Sequence, residues 1–587
     1  MVISRRETTP HDRTVYVGHQ MDASVNGLLV RGGEIVDGMG SASRRADVRV
    51  RDGLITEIGP DLAPDGEHEL DAGGAVVAPG FIDSHTHFDP TLFWDPTCDP
   101  MPQHGVTTVL IGNCSLSLAP LRPDQRAGLS AVFAYVEDMP PSVFAQSVPW
   151  SWTTFPEYLD ALRALPCTVN VATLVGHTPL RMFVMGDDAW DRVATVDERR
   201  AMAAVLDEAL RAGAIGLSTS WFDEDAQKRP TPSVLADDDE LGELFDVLVD
   251  RDAILEFIPD VKTSAWRDDV DRVARLTGPR NLLSTFNGIF CDNDRPGRIL
   301  EILDHIAELQ AEGIRLYPQV SPRGVDVRVN WYGGMSFYGM ATTWHLVVQG
   351  TADEKRRMLT DADWRERARA EWDTTRRTMF PHRFPERVRL VEVSDPALEP
   401  WVGRTLAELV AARGGHPSDV LADWLLENDF EPGVVGVDVT NADPDGVAAM
   451  LAHPAAIISN SDAGAHLQMM CASGDTTLLL TRHVRERGDF TLEQAIWQLT
   501  GRQATTLGLS DRGVLAPGAI ADLTVFALDE LHWDKEEFVH DLPGGGPRFR
   551  RPPGGYRYTV TGGAVVQERD ALTDARPGRL VTRPAPR

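Results

Sequence analysis

The sequence has no apolar run long enough to cross a membrane, since a spanning helix needs about 20 consecutive apolar residues. The first twenty residues, Met1 to Gln20, are polar and charged, without the apolar segment of a secretory signal. We therefore expect neither a membrane partner nor secretion.

Cysteine is scarce, with five residues in a chain of 587. They are Cys98, Cys114, Cys167, Cys291 and Cys471, and none of them forms a CxxC pair. An odd, scattered set indicates neither a disulfide framework nor a zinc knuckle. The expected setting is the reducing cytoplasm.

Positive charge is also in short supply. Lys and Arg total 57 against 88 Asp and Glu, which gives a formal net charge of -31. A negative field repels phosphate backbones and acidic lipid surfaces, so a nucleic-acid partner is not expected. The acidic residues are interpreted as a solvated surface.

What is present is an α/β pattern in which apolar strands alternate with amphipathic helices. Eight strand candidates occur: the segment ending at His85, then Val106–Gly112, Val169–Val175, Ala214–Ser218, Ala253–Ile258, Asn281–Phe286, Ile314–Tyr317 and Ala455–Ser461. This pattern predicts a (β/α)8 TIM-type barrel over residues 79–509, with its chemistry at the carboxyl ends of the strands.

Short strands punctuated by Gly and Asp occur at both ends of the chain. They predict a small composite β-sandwich domain built from residues 23–78 and 510–575. The segment after the seventh strand is too long to be a single crossover to the eighth. It predicts an inserted lid subdomain over residues 320–410. Residues 1–22 are expected to be an N-terminal extension and 576–587 a C-terminal tail.

The segment His85-Thr86-His87 directly follows an apolar run at residues 75–82. Side chains two residues apart on a strand point to the same face, so these imidazoles can bind one divalent ion. The alternative is a pair of solvated histidines in a strand-end turn.

Two further candidate donors follow other strands. Cys114 follows the second strand and would supply a soft thiolate, although a lone cysteine is more often an inert core residue. Asp462 follows the eighth strand and would face the histidines; the alternative is a helix N-cap, since Ser-Asp before small residues caps well.

Several motifs in order resemble the amidohydrolase superfamily, and most closely the N-acyl-D-amino-acid deacylases, or D-aminoacylases. They are Gly80–His87, Gly105–Cys114, Val175–Arg181, Gly213–Thr219, Ser461-Asp462 and Arg512–Leu523. The resemblance runs from about residue 25 to 575. An ordered set of motifs is more specific than any one of them.

The resemblance implies a metal-dependent hydrolase of a carbon–nitrogen bond, with zinc as the usual ion. His85 and His87 would be metal ligands, and Cys114 would match the cysteine ligand of D-aminoacylases. Asp462 would bind the metal or accept a proton from its water. Tyr317 matches a Tyr-Pro of the family and is expected to contact the substrate.

The chain departs from that family at two metal ligands. Where D-aminoacylases carry histidines at the ends of strands five and six, this chain has Glu256 and Asn287, and the family's following lysine is absent. Either these two residues substitute as oxygen ligands, or the ion moves to the site of His85, His87 and Asp462. We favour the second arrangement, with Cys114 as a fourth contact.

Four residues are expected to contact the substrate: Tyr317, His177, Asn287 and Glu256. For His177 and His466, a polar lining role is favoured over metal ligation.

The favoured function is hydrolysis of an N-acyl-D-amino acid or a related N-acyl amino acid, a small-molecule amide. One alternative is a ring-opening hydrolase of cyclic amides or imides. Another is a degenerate barrel that only binds a ligand, because fold alone does not fix function. Measuring the metal content distinguishes the two hypotheses, because the absence of a stoichiometric ion would favour the ligand-binding protein over the enzyme.

Overall fold

The structure of the chain is a computed structural model that describes residues 27–260, 266–293, 295, 297–329, 331, 342–375, 380–430, 433–459 and 461–583. The expected N-terminal extension, residues 1–22, lies outside these ranges. Within them, no helix combines the length and the apolarity needed to cross a bilayer.

Five strands come first: β1 (Leu28–Ile35), β2 (Arg44–Arg51), β3 (Leu54–Gly59), β4 (His68–Asp71) and β5 (Val76–Pro79). β1 pairs antiparallel with β2, and β2 with β3. Asp52 and Gly53 join β2 to β3 with φ values of 51° and 76°. Asp-Gly is favoured in this turn because both central residues need positive φ.

The apolar run at residues 75–82, expected as one strand, forms two. β5 belongs to the first sheet, whereas β6 (Phe81–Asp83) pairs with β7 (Val106–Ile111) of a second, parallel sheet. Gly80 lies between them, and a Cβ atom there would be 2.2 Å from Thr107 Oγ1. Only glycine allows the backbone at residue 80 to lie this close to Thr107. At this residue the chain passes from the first sheet to the second, just before His85.

The parallel strands continue with β8 (Asn170–Gly176), β9 (Gly216–Ser220), β10 (Ile254–Ile258), β11 (Ser284–Ile289) and β12 (Leu316–Val320). The helices between them are α1 (Arg126–Val136), α2 (Pro141–Ser147), α3 (Phe155–Arg163), α4 (His177–Met185), α5 (Val196–Ala212), α6 (Asp238–Asp250), α7 (Trp266–Thr277) and α8 (Gly297–Ala311). Each strand lies within a few residues of its predicted position. Parallel strands with crossover helices bury both sheet faces, which explains their continuous apolar sequences.

After β12 the chain forms a separate substructure. Its strands are β13 (Val325–Val329), β14 (Val388–Leu390) and β15 (Val434–Thr440), and its helices are α9 (Thr342–Gln349), α10 (Ala352–Thr360), α11 (Ala362–Thr374), α12 (Leu406–Arg413) and α13 (Pro417–Glu427). Trp344, Trp364 and Trp372 pack in a hydrophobic core distinct from that of the parallel sheet. Because β15 pairs with both other strands, the substructure extends beyond the expected boundary at residue 410.

The chain then returns to the parallel sheet through α14 (Pro444–Ala452) and β16 (Ile457–Ile458). The order of this eight-stranded sheet is β16-β12-β11-β10-β9-β8-β7-β6. Among the described residues no strand ladder joins its two edges, β16 and β6. The segments that follow these edges are joined, because His87 N donates to Ala463 O at 2.7 Å and Asp462 N donates to His85 O at 3.1 Å.

The last helices are α15 (Asp475–Leu478), which runs into a π-helix over Leu479–Glu486, then α16 (Leu492–Leu499) and α17 (Gly501–Leu507). The last strands are β17 (Leu523–Phe526), β18 (Glu537–Val539), β19 (Arg548–Arg550), β20 (Tyr558–Thr561), β21 (Ala564–Glu568) and β22 (Ala571–Leu572).

Both chain ends contribute to one nine-stranded sheet, in which β17 pairs with β5 and β4 pairs with β1. Residues from both chain ends, among them Val48, Val77 and Val560, pack in one hydrophobic core of this sheet, and the sandwich stays a prediction. The segment expected as a tail lies along β8, where Val581 N donates to Val171 O at 2.8 Å. Its last four residues, 584–587, are outside the described ranges.

Candidate metal centre

Two imidazoles meet a thiol at the carboxyl end of the parallel sheet. His85 and His87 follow β6 and are fully buried, with ring centroids 5.3 Å apart. Cys114 follows β7, and its Sγ lies 3.2 Å from His85 Nε2 and 3.6 Å from His87 Nε2. Three soft or borderline donor atoms therefore face one point.

Asp462 brings a carboxylate to the same imidazoles from the segment after β16. Its Oδ1 lies 3.2 Å from His87 Nε2 and 3.7 Å from His85 Nε2. Asp462 and Cys114 have φ values of 65° and 54°, a region that side chains other than glycine rarely adopt. Such backbone strain is held in place by surrounding structure and is commonly found at functional sites.

The spacing of these atoms fits a metal ion. Tetrahedral ligands about 2.0 to 2.3 Å from zinc are separated from one another by about 3.3 to 3.8 Å. The donors form two overlapping sets, His85–His87–Cys114 and His87–Glu137–Asp462, and within each set they lie within 4.8 Å of one another. His87 belongs to both sets, so it is the centre of the cluster.

Glu137 is a member that the sequence analysis missed. It follows the last residue of α1 and is buried, with Oε1 3.6 Å from His87 Nδ1 and Oε2 3.8 Å from His466 Nε2. Its backbone oxygen accepts a hydrogen bond from His466 N. The only sequence signal for Glu137 was its position as an acidic residue directly after the largely apolar helix α1.

Glu256 and Asn287, the residues expected in place of the two absent histidines, both contact the cluster. Glu256 Oε2 accepts a hydrogen bond from Cys114 N at 3.0 Å, and Asn287 Nδ2 lies 3.1 Å from His85 Nε2. The other oxygen, Glu256 Oε1, is buried and accepts no hydrogen bond from the described residues. Glu256 thus supports the Cys114 loop from β10.

Two of the residues expected at the substrate lie outside both donor sets, and their contact with a substrate stays a prediction. His177 Nε2 lies 2.8 Å from Glu240 Oε1, and His177 Nδ1 lies 2.9 Å from Thr219 Oγ1, in a buried polar network outside both donor sets. Tyr317 packs against an apolar cluster that contains Val581 of the chain end. Neither is brought together with the metal donors.

His466, expected as polar lining, lies beside the centre, with Nε2 3.5 Å from Asp462 Oδ2. A buried cation also supports this segment. Arg323 follows β12, donates to Ser461 O at 2.9 Å and pairs with Asp475 Oδ1 at 3.0 Å. Its hydrogen bond to Ser461 restrains the turn that carries Asp462.

The electrostatics of the centre favour a cation. Burial lowers the pKa of His85 to about 3, so its imidazole is neutral near pH 7. For His87 burial also lowers the pKa, but Glu137 and Asp462 raise it by more, to about 10. Burial, and then the surrounding carboxylates, raise the pKa of the Cys114 thiol. A divalent ion would neutralise these carboxylates and replace the protons on its ligands, so the residues present fit a metal ion.

Comparisons with known proteins agree with this class of site. The chain matches the model of the Amidohydrolase family over residues 68–251 and 383–567. It is 30% identical over 570 residues to an N-acyl-D-glutamate deacylase of Alcaligenes xylosoxydans xylosoxydans, covering 95% of this chain and 97% of that one. It is also 30% identical over 572 residues to a D-aminoacylase of the same organism, covering 96% and 99%.

Among solved structures, the chain is similar to the N-acyl-D-glutamate deacylase of Bordetella bronchiseptica, complexed with zinc and a phosphonate mimic of the tetrahedral intermediate. The TM-score is 0.66 at 26% identity, covering 95% of this chain and 100% of that one. The chain therefore belongs to the amidohydrolase family. Within it, the chain falls in the D-aminoacylase branch.

Proposed function

We propose that this chain is a zinc-dependent hydrolase that removes the acyl group from an N-acyl-D-amino acid or a related N-acyl amino acid. One observation carries the proposal: imidazole, thiol and carboxylate donors from β6, β7 and β16 converge at the carboxyl end of one parallel sheet. The names of the two relatives support the substrate class.

In this proposal His85, His87, Cys114 and Asp462 hold the ion. When bound, zinc lowers the pKa of a coordinated water and polarises the scissile carbonyl. Asp462 accepts the proton that the water loses as it attacks the carbonyl carbon. As the carbon–nitrogen bond breaks, Asp462 returns that proton to the departing nitrogen, which leaves a carboxylate and an amine.

Asn287 and Glu256 are proposed to line the substrate pocket. The Asn287 amide, which lies 3.1 Å from His85 Nε2, is close enough to the ion to donate to the substrate carbonyl oxygen. Glu256 contributes mainly by holding the Cys114 backbone.

We also propose that the eight-stranded parallel sheet closes into a (β/α)8 barrel. The substructure at residues 325–440 is proposed to be a lid over the metal centre. The parallel bridge between Thr86 and Ala463 supports closure between the two edge strands. The five unpaired cysteines support a cytoplasmic location.

A screen of the zinc-loaded protein against N-acetyl-D- and N-acetyl-L-amino acids and cyclic imides tests the proposal. Amine release from D-substrates, lost in Asp462→Asn, is the expected result. Loaded protein that opens only imide rings would replace the proposed substrate class. Loaded protein that turns over none of these compounds would contradict the proposed activity.

A further inference from the structure

The imidazoles of His85 and His87 point their Nε2 atoms at the proposed metal site. Their Nδ1 atoms face away from it and contact two different kinds of side chain. A metal-bound histidine commonly donates its other N–H to a carboxylate or carbonyl oxygen, which fixes its tautomer and orientation. His85 Nδ1 faces a neutral carboxamide, whereas His87 Nδ1 faces a carboxylate.

The partner of His85 is Gln319, which is fully buried in β12. Gln319 Oε1 lies 2.8 Å from His85 Nδ1, while Gln319 Nε2 donates to Thr285 Oγ1 at 3.4 Å. An amide oxygen can only accept, so the 2.8 Å contact makes His85 Nδ1 the donor to Gln319 Oε1. His85 then carries its proton on Nδ1 and presents the Nε2 lone pair to the space that it shares with Cys114 Sγ at 3.2 Å and Asn287 Nδ2 at 3.1 Å.

The partner of His87 is Glu137. Its carboxylate is buried, and no described residue donates an ordinary hydrogen bond to it; the imidazoles of His87 and His466 lie within 4 Å. The hydrogen bond from His466 N to Glu137 O fixes the position of the backbone at the end of α1. At 3.6 Å the contact between Glu137 Oε1 and His87 Nδ1 is longer than a hydrogen bond, and His87 Nδ1 has no hydrogen-bond partner among the described residues. The buried carboxylate and the imidazole of His87 therefore interact through charge.

We propose that Gln319 and Glu137 are positioning residues of the metal centre, which hold His85 and His87 as Nδ1–H tautomers with both Nε2 atoms aimed at the ion. This inference rests on the proposed metal centre. A carboxylate acceptor makes an imidazole a stronger donor than an amide does, so His87 is the tighter of the two ligands.

The test is zinc affinity, measured by chelator competition on the full chain. Glu137→Gln keeps the shape but removes the charge, and Gln319→Leu removes the acceptor; each should weaken zinc binding about 10- to 100-fold. Gln319→Glu keeps an acceptor and should bind zinc within a few-fold of the unmodified protein. Substitution of cobalt for zinc should give the same visible spectrum in every variant, because no ligand is lost.

Matched controls exist in the same fold. Glu240→Gln alters a buried carboxylate 2.8 Å from His177, an imidazole outside both donor sets, and should leave zinc affinity unchanged. Gln567→Leu removes a buried carboxamide from the nine-stranded sheet and should also leave it unchanged.

The outcomes separate this inference from the proposed function. If the unmodified protein binds no zinc, both are wrong. If it binds zinc but Glu137→Gln and Gln319→Leu match their controls, only the positioning role is wrong. If Glu137→Gln changes the cobalt spectrum, Glu137 is itself a ligand and the positioning role is again overturned.

Discussion

Replacing the thiol of Cys114 by a hydroxyl in Cys114→Ser tests the sulfur donor of the centre. Zinc binding at a protein site is worth about 10 to 16 kcal/mol in all. Shared among four donors this is about 3 kcal/mol each, and at about 1.4 kcal/mol per tenfold change the loss is about a hundredfold in affinity. Because Sγ lies 3.2 and 3.6 Å from the two Nε2 atoms, the effect should reach zinc binding directly.

The assay is chelator competition at fixed pH, with circular dichroism to verify the fold. Cys167→Ser is the matched control, because Cys167 is also buried but lies outside both donor sets. It should lose some stability and keep its zinc affinity. If Cys114→Ser binds zinc as tightly as Cys167→Ser does, Cys114 is only a packing residue and its assignment as a donor is wrong.

Three further substitutions and one depletion test other parts of the structure. Asp462→Asn should slow hydrolysis by about 100- to 10,000-fold in steady-state assays, because it removes the proton acceptor; an unchanged rate would refute that role. Arg323→Met leaves Asp475 buried without its cation and should cost about 3 to 5 kcal/mol in urea unfolding; a cost below 1 kcal/mol would show that the pair is dispensable. Trp344→Ala should destabilise the substructure at residues 325–440 by about 3 to 5 kcal/mol while zinc affinity is unchanged; a large loss of affinity would mean that this core supports the metal centre. Removal of zinc from protein saturated at about 1,000 times Kd should lower the free energy of unfolding by about 4 kcal/mol; identical melting curves would indicate that no ion binds the folded state.

The parts of the site that follow strand ends were predictable from sequence. A two-residue repeat puts His85 and His87 on one face, and parallel strands bring their carboxyl ends together, so Cys114 and Asp462 were expected nearby. The distances of 3.2 to 3.7 Å among these side chains agree with that reasoning.

The rest depends on loops and on interior packing that no periodicity specifies. Glu137 lies near His87 from the residue after α1, where its backbone oxygen accepts a hydrogen bond from His466 N. Gln319 is one of several buried polar residues, and its role depends on which neighbour its oxygen faces. Tyr317 was expected at the substrate from a family motif; its side chain packs against an apolar cluster of the parallel strands, and its contact with a substrate stays a prediction.

Diffraction from zinc-loaded crystals at the zinc absorption edge tests the metal centre most directly. We expect one anomalous peak bonded to His85 Nε2, His87 Nε2, Cys114 Sγ and an Asp462 oxygen, each at about 2.0 to 2.3 Å. Zinc-loaded crystals with no peak among these four side chains, or with zinc bound only elsewhere, would contradict the centre and the hydrolysis proposed from it.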